Sequence, residues 1–156
     1  TIEDVLGLEG LASRLMFKKF QDMVSQTEFD FFERTYNPPK DEVNALLSFL
    51  YTLSYNLSIA VILTLGYDPY VSFLHTKKGK HAAFASDIME IVRPTLTKIA
   101  GELIVRKLIG KEDFTKEKDF IMLKKQTIAK VLDIFQEHKE GLIYMMKTTL
   151  RDLENL

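Results

Sequence analysis

A histidine and two carboxylates lie near one another in the middle of the chain, and their types suit metal chemistry. Asp87 and Glu90 follow His75 by twelve and fifteen residues, and another carboxylate, Glu9, lies far upstream between a leucine and a glycine. Residues three apart on a helix share one face, so Asp87 and Glu90 are expected to converge toward the imidazole. Together the four residues predict a divalent metal site.

The ligand types indicate which ion such a site would prefer. The chain has no cysteine, so no thiolate is available. One imidazole with several carboxylates favours a hard or borderline ion such as Mg²⁺ or Mn²⁺ over structural zinc. An ion of this kind leaves positions for water and phosphate, and it stabilises the attacking and leaving oxygens of a phosphodiester. The expected reaction class is phosphoryl transfer on a polynucleotide.

Each of these residues also has a purely structural interpretation. Acidic residues near helix starts complement the helix dipole, which would account for Glu9, Asp87 and Glu90 separately. A lone histidine such as His75 is more often a hydrogen-bonded structural residue than a ligand. It is the combination that favours a metal site.

The segments that must position these residues are predicted to be helical. Apolar periodicity predicts a first helix over about 2–25, which carries Glu9, and a second core helix from about 41 to 66 after a Pro-Pro pair. A connector over 68–76 presents His75. A third helix over about 82–109 carries Asp87 and Glu90, with a kink or local break expected at Pro94.

The remaining segments complete an all-α, multi-helix domain. A charged link is predicted over 111–118 and a fourth helix over 120–138, and a fifth helix can follow from Gly141 to the end. With 156 residues and 46% apolar content, the chain is expected to form one domain over residues 1–156.

Composition also bears on the compartment. The longest apolar run, residues 59–63, is far shorter than the roughly 20 residues of a membrane span, and no signal-peptide pattern opens the chain. The absence of cysteine is compatible with a reducing cytoplasm. The sequence predicts a cytoplasmic protein that is neither secreted nor membrane-spanning.

Basic charge is concentrated around the histidine. Residues 75–111 contain eight Lys or Arg against three acidic residues, a net +5, although the whole chain carries a net −1. Lys77, Lys78 and Lys80 directly follow His75, where they could contact a phosphate backbone. The alternative is an ordinary solvated loop, which is the usual role of a charge run.

Several short sequence motifs occur along the chain in an order that resembles a known family. They are Leu8–Gly10, Arg34–Asp41, Asn44–Ser48, Gly66–Tyr70, Phe73–Thr76 and Asp87–Pro94. The series resembles the catalytic helical domain of the CRISPR-associated spacer-integration nuclease, the shared integrase of CRISPR adaptation. The likeness is specific over residues 6–106 and looser to about residue 139.

The resemblance implies a function and a set of site residues. Glu9, His75 and Glu90 match the family's ligands for Mg²⁺ or Mn²⁺, Asp87 matches the acidic residue beside them, and Tyr55 falls where an aromatic residue lies near the DNA strand end. The family joins 3′-hydroxyl ends of short foreign DNA fragments into the repeat array by transesterification, and it also cuts branched DNA. Its members form homodimers that bind a small partner protein of the adaptation complex.

One departure from the family leads to a second hypothesis. Members of the family carry an amino-terminal β-rich domain before the helical domain. From the resemblance we expect this chain to correspond to the helical domain without the β-rich one. The first hypothesis is therefore a metal-dependent DNA integrase and endonuclease domain, which as a fragment need not be active alone. The second is a catalytically inactive helical module that retains the fold to bind a partner or DNA.

Overall fold

The computed structural model describes residues 1–75 and 81–155, and in this part of the chain four long helices dominate. Helix α1 spans Ile2–Val24, α2 spans Glu42–Thr64, α3 spans Ala83–Val105 and α4 spans Lys125–Glu154. A 3-10 turn at Lys111–Asp113 leads into strands β1 (Phe114–Lys116) and β2 (Ile121–Leu123), which pair antiparallel. The predicted all-α fold is confirmed.

The chain divides into two compact units. The first contains Thr1–Leu50 and Thr95–Asp133, and the second contains Tyr51–Pro94 and Ile134–Leu156. Helices α2, α3 and α4 each contribute residues to both units. One domain over residues 1–156 stays a prediction.

An aromatic cluster anchors α1 in the first unit. The rings of Phe20 and Phe31 meet edge to face with centroids 5.1 Å apart, and Phe17 lies 6.1 Å from Phe31. Only Phe20 and Val24 of α1 are buried, both in its last two turns. The burial that fixes this helix in the first unit is therefore at its carboxyl-terminal end, and the turn that carries Glu9 is not part of that cluster.

A polar network fixes the start of α2. The Asp41 carboxylate accepts the Asn44 N–H at 2.7 Å, which is the geometry of a helix cap. Asn44 is fully buried, donates its amide to the Glu33 carbonyl at 2.9 Å, and accepts from Arg34 at 2.8 Å. Arg34 also donates to Ser48 at 2.9 Å. The irregular segment before α2 is thereby attached to the helix, which begins where the sequence predicts.

Helix α2 is long and apolar enough, by length and composition, to cross a membrane. A core helix passes the same test, and α2 has core character because Leu46, Leu47, Leu50 and Ile62 are fully buried. Its apolar periodicity predicts this role.

Helix α3 continues through Pro94 without interruption. A local break is therefore excluded at that position. Proline removes one backbone donor from a helix, and burial of Val92 and Leu96 on either side stabilises the helical path. The helix ends at Val105, a few residues earlier than predicted, and Lys107 takes a left-handed φ of 55° in the turn that follows.

Two predictions for the last third of the chain are wrong. Residues 111–123 form the turn and hairpin, whereas a charged link and the start of a helix were expected there. The β1–β2 pair buries Phe114 and Leu123 opposite each other, which is too short a pattern for periodicity to detect. Residues 125–154 form one helix rather than two, because apolar positions continue past Gly141, and that glycine costs only about 0.5–1 kcal/mol in a helix.

Asp113 joins the hairpin to α4. Its carboxylate accepts the Gly110 N–H at 2.9 Å and the Thr127 hydroxyl at 2.8 Å, and its carbonyl accepts the Lys124 N–H at 2.9 Å. Burial alone would raise the pKa of Asp113, but these hydrogen bonds, with Lys130 and Lys124 nearby, hold it below its usual value. The carboxylate is therefore the form that the fold stabilises.

Candidate functional site

The connector before α3 presents His75, and Asp87 holds it in place. Asp87 lies in the second turn of α3 and is 8% exposed. Its Oδ1 lies 2.6 Å from His75 Nδ1 and accepts the His75 N–H at 2.9 Å. Its Oδ2 accepts the N–H groups of Phe73 at 2.7 Å and Leu74 at 3.1 Å. One carboxylate thus receives four hydrogen bonds from three consecutive residues.

These hydrogen bonds determine which atoms of Asp87 and His75 can still bind another group. An ionised carboxylate offers about four acceptor positions, and all four of Asp87 are used by the connector. In this arrangement the Asp87 carboxylate holds the connector in place and has no acceptor position left over. The same bond fixes the imidazole, since a carboxylate at Nδ1 leaves Nε2 as the open nitrogen. Among the described residues, no hydrogen bond to His75 Nε2 is found.

Glu90 lies one turn further along α3 and forms an ion pair with Arg93. Both side chains are largely buried, at 13% and 15% exposure. The Arg93 guanidinium also lies over the Tyr51 ring, 5.4 Å from its centroid. Glu90 is thus a charged group held in a low-dielectric position. Arg93 was not singled out from the sequence as the partner of Glu90.

Glu9 is half-buried on α1 and belongs to the first unit, whereas His75 and Glu90 belong to the second. That Glu9 joins them at one ion stays a prediction. Within residues 1–75 and 81–155, no group of three or more histidine or carboxylate side chains has the arrangement of a metal site.

The donor chemistry of the second unit suits a hard divalent ion. A ligating histidine usually has its other ring nitrogen hydrogen-bonded to a carboxylate, which sets its tautomer and orientation, and the His75–Asp87 pair has this form. Glu90 would supply a carboxylate oxygen, the ligand that Mg²⁺ and Mn²⁺ prefer. The ion pair between Glu90 and Arg93 would have to break before both Glu90 oxygens could bind an ion.

Tyr55 lies on α2 and contacts the residues just before α3. Its hydroxyl accepts the Ala82 N–H at 2.8 Å and lies 3.3 Å from His81 Nδ1, and its ring stacks on the His81 ring at 5.1 Å. His81 Nε2 lies 2.8 Å from the Ser86 hydroxyl. The predicted DNA contact of Tyr55 stays a prediction. Nothing in the sequence singles out Ser86 except its place before Asp87.

The remaining predicted DNA contacts are the lysines after His75. Lys77, Lys78 and Lys80 lie outside the residues that the structure describes. Their role stays a prediction that depends on the charge pattern of the sequence.

Comparison with known proteins places the chain in a family. The profile described as CRISPR associated protein Cas1 matches residues 1–137. The CRISPR-associated endonuclease Cas1 of Leptospira interrogans is 34% identical, over all of this chain and 64% of that protein. The resemblance found in the sequence motifs is confirmed.

Solved structures agree with this assignment. A chain of a partial Cas6-RT-Cas1–Cas2 complex aligns with a TM-score of 0.80 and 28% identity, over 99% of this chain and 51% of that one. The Cas1 protein of Thermotoga maritima aligns with a TM-score of 0.85, again over 99% and 51%, and its 23% identity shows a shared fold. The chain thus spans between half and two thirds of these relatives. It belongs to the CRISPR-associated Cas1 family.

Proposed function

We propose that this chain carries the catalytic region of a divalent-metal-dependent DNA integrase and endonuclease of CRISPR adaptation. It would insert short foreign DNA fragments into the repeat array. In this transesterification the 3′-oxygen of the fragment forms a new phosphorus–oxygen bond and an oxygen of the repeat strand leaves. The number of phosphodiester bonds is unchanged, so no external energy source is needed.

The single observation that carries the proposal is the anchored histidine. Three backbone hydrogen bonds to Asp87 hold residues 73–75, and a fourth holds the imidazole through Nδ1. Within residues 1–75 and 81–155, no hydrogen bond occupies Nε2. A carboxylate at Nδ1 sets the tautomer and the orientation of the ring, as it does in most metal-ligating histidines. It is the arrangement expected of a residue held ready for a ligand.

Three residues would hold the ion: His75 through Nε2, and Glu9 and Glu90 through carboxylate oxygens. A bound Mg²⁺ or Mn²⁺ would stabilise charge on the attacking and leaving oxygens. Asp87 keeps the imidazole oriented and accepts its Nδ1 proton in a hydrogen bond. Arg93 neutralises Glu90 when no cation is near and lowers the cost of burying its charge.

The proposed partners follow from the family and the charge pattern. DNA, as fragments and as the repeat, would contact the +5 segment that includes Lys77, Lys78 and Lys80, with Tyr55 near the strand end. The Leptospira relative is named an endonuclease, and a structural neighbour is part of a complex with Cas2. We propose a homodimer that binds a Cas2-type partner in the cytoplasm and does not bind membranes.

A second candidate function is a helical module that binds DNA or a partner without catalysis. It is favoured by the Glu90–Arg93 ion pair and by the lack of a three-ligand group within the described residues. A carboxylate already neutralised by arginine is a weaker metal ligand. Only the first candidate requires a bound metal ion.

The test is strand joining by the protein at its full natural length. A DNA fragment with free 3′-hydroxyl ends is incubated with a repeat-containing duplex in Mn²⁺ or Mg²⁺, with and without excess EDTA. We expect joined products with metal and none with EDTA, whereas DNA binding should persist in both. Joining that is unaffected by EDTA would contradict metal dependence. Binding without joining in either metal would favour the second candidate.

A further inference from the structure

The residue at the cap position of α3 has no side chain that could cap the helix. The helix begins at Ala83, so Ala82 takes the cap position, and alanine has no side-chain acceptor for the free N–H groups of the first turn. Partners from elsewhere in the second unit replace it. The Ala82 N–H donates to the Tyr55 hydroxyl at 2.8 Å, and the Phe84 N–H donates to the Pro69 carbonyl at 3.0 Å.

His81 extends this contact to the next turn of the helix. Its ring stacks on Tyr55 with an interplanar angle of 8°, and its two nitrogens contact the Tyr55 hydroxyl and Ser86. Ser86 is 8% exposed and immediately precedes Asp87. A continuous chain of contacts therefore runs from α2 through Tyr55, His81 and Ser86 to the residue that holds His75.

We infer that Tyr55, His81 and Ser86 form a positioning clamp for the reaction. The clamp fixes the rotation of the first two turns of α3 about the helix axis and their position along it. Asp87 lies in these turns, and its hydrogen bonds to residues 73–75 therefore fix the position of His75. The inference rests on the proposed function, since it explains how the proposed ligand is held in position. It also assigns Tyr55 a role through its hydroxyl, whereas stacking on DNA would use its ring.

This difference makes Tyr55→Phe the decisive variant. It keeps the aromatic ring, and therefore the stacking on His81 and any stacking on a base, but it removes the acceptor for the Ala82 N–H. His81→Ala removes the bridge to Ser86. His81→Gln retains a side-chain amide that can reach Ser86 and should restore most of the strand-joining rate.

Activity and metal dependence are measured in the protein at its full natural length. We expect Tyr55→Phe and His81→Ala each to lower the strand-joining rate about 3- to 10-fold and to raise the Mn²⁺ concentration for half-maximal rate, with DNA affinity unchanged. His81→Gln should recover most of the rate. Tyr144→Phe and His138→Ala, on α4 of the same unit, are the matched controls and should behave as the natural protein does.

Hydrogen exchange gives a second readout that does not require activity. Tyr55→Phe should speed exchange at the Ala82 amide and also at the amides of Phe73, Leu74 and His75, which bond to Asp87. Faster exchange at Ala82 alone, or unchanged strand joining in both Tyr55→Phe and His81→Ala, would overturn the clamp. If His75→Ala joins strands as well as the natural protein, the proposed function fails, and exchange at residues 73–75 still decides whether the clamp exists.

Discussion

Replacing His75 by alanine is expected to reduce strand joining by roughly 100-fold or more. Charge stabilisation by a bound ion contributes several kcal/mol, each 1.36 kcal/mol is a factor of ten in rate, and loss of Nε2 removes a ligand for that ion. The fold should survive, because Asp87 still accepts the three backbone N–H groups of residues 73–75. The measurement is the joining rate under saturating Mn²⁺.

The matched control for this variant is His138→Ala. His138 lies on α4, and its Nδ1 contacts only the Ile134 carbonyl at 3.0 Å within the same helix. We expect His138→Ala to join strands at the natural rate. Both variants should have thermal midpoints similar to that of the natural protein. Full joining by His75→Ala would remove the histidine from the site.

Replacing Asp87 by asparagine is expected to reduce strand joining by about 10- to 100-fold, the usual range for residues that orient a metal ligand. Asparagine has nearly the same shape, but its NH₂ group cannot accept a hydrogen bond. Two donors of the connector would then face another donor inside a buried pocket. The loss should appear in the joining rate and as a raised Mn²⁺ requirement.

Asp152→Asn is the control, since Asp152 is an exposed residue on α4 in the same unit. A purely structural role for Asp87 would lower the thermal midpoint without changing the Mn²⁺ requirement of the folded fraction. That outcome would exclude its positioning role.

Much of the fold follows from the sequence because the signals are local. The Asp41 cap after two prolines and the three- and four-residue spacing of Leu46, Leu47 and Leu50 place α2 within about two residues. The β1–β2 hairpin was missed because three-residue strands carry too few alternating positions. Gly141 misled the prediction of α4, because a glycine ends a helix only where the apolar pattern ends too.

The sequence predicts residues for the site but not the bonds among them. The three-residue spacing of Asp87 and Glu90 and their chemistry led us to expect that they converge on His75. The four-bond anchor depends on the path of residues 73–75, which no sequence pattern predicts. The Glu90–Arg93 pair lies at a recognisable three-residue spacing, yet its burial depends on tertiary packing over Tyr51. Helical periodicity does not predict such contacts.

The most direct measurement of the central claim is anomalous scattering from crystals of the protein grown with Mn²⁺. The account predicts one peak about 2.1 Å from His75 Nε2, with carboxylate oxygens of Glu9 and Glu90 completing the protein ligands and Asp87 outside coordination distance. Glu90 should then have left Arg93. Absence of manganese at His75 from crystals that bind it elsewhere, or a peak ligated by Asp87 in place of Nε2, would contradict the account.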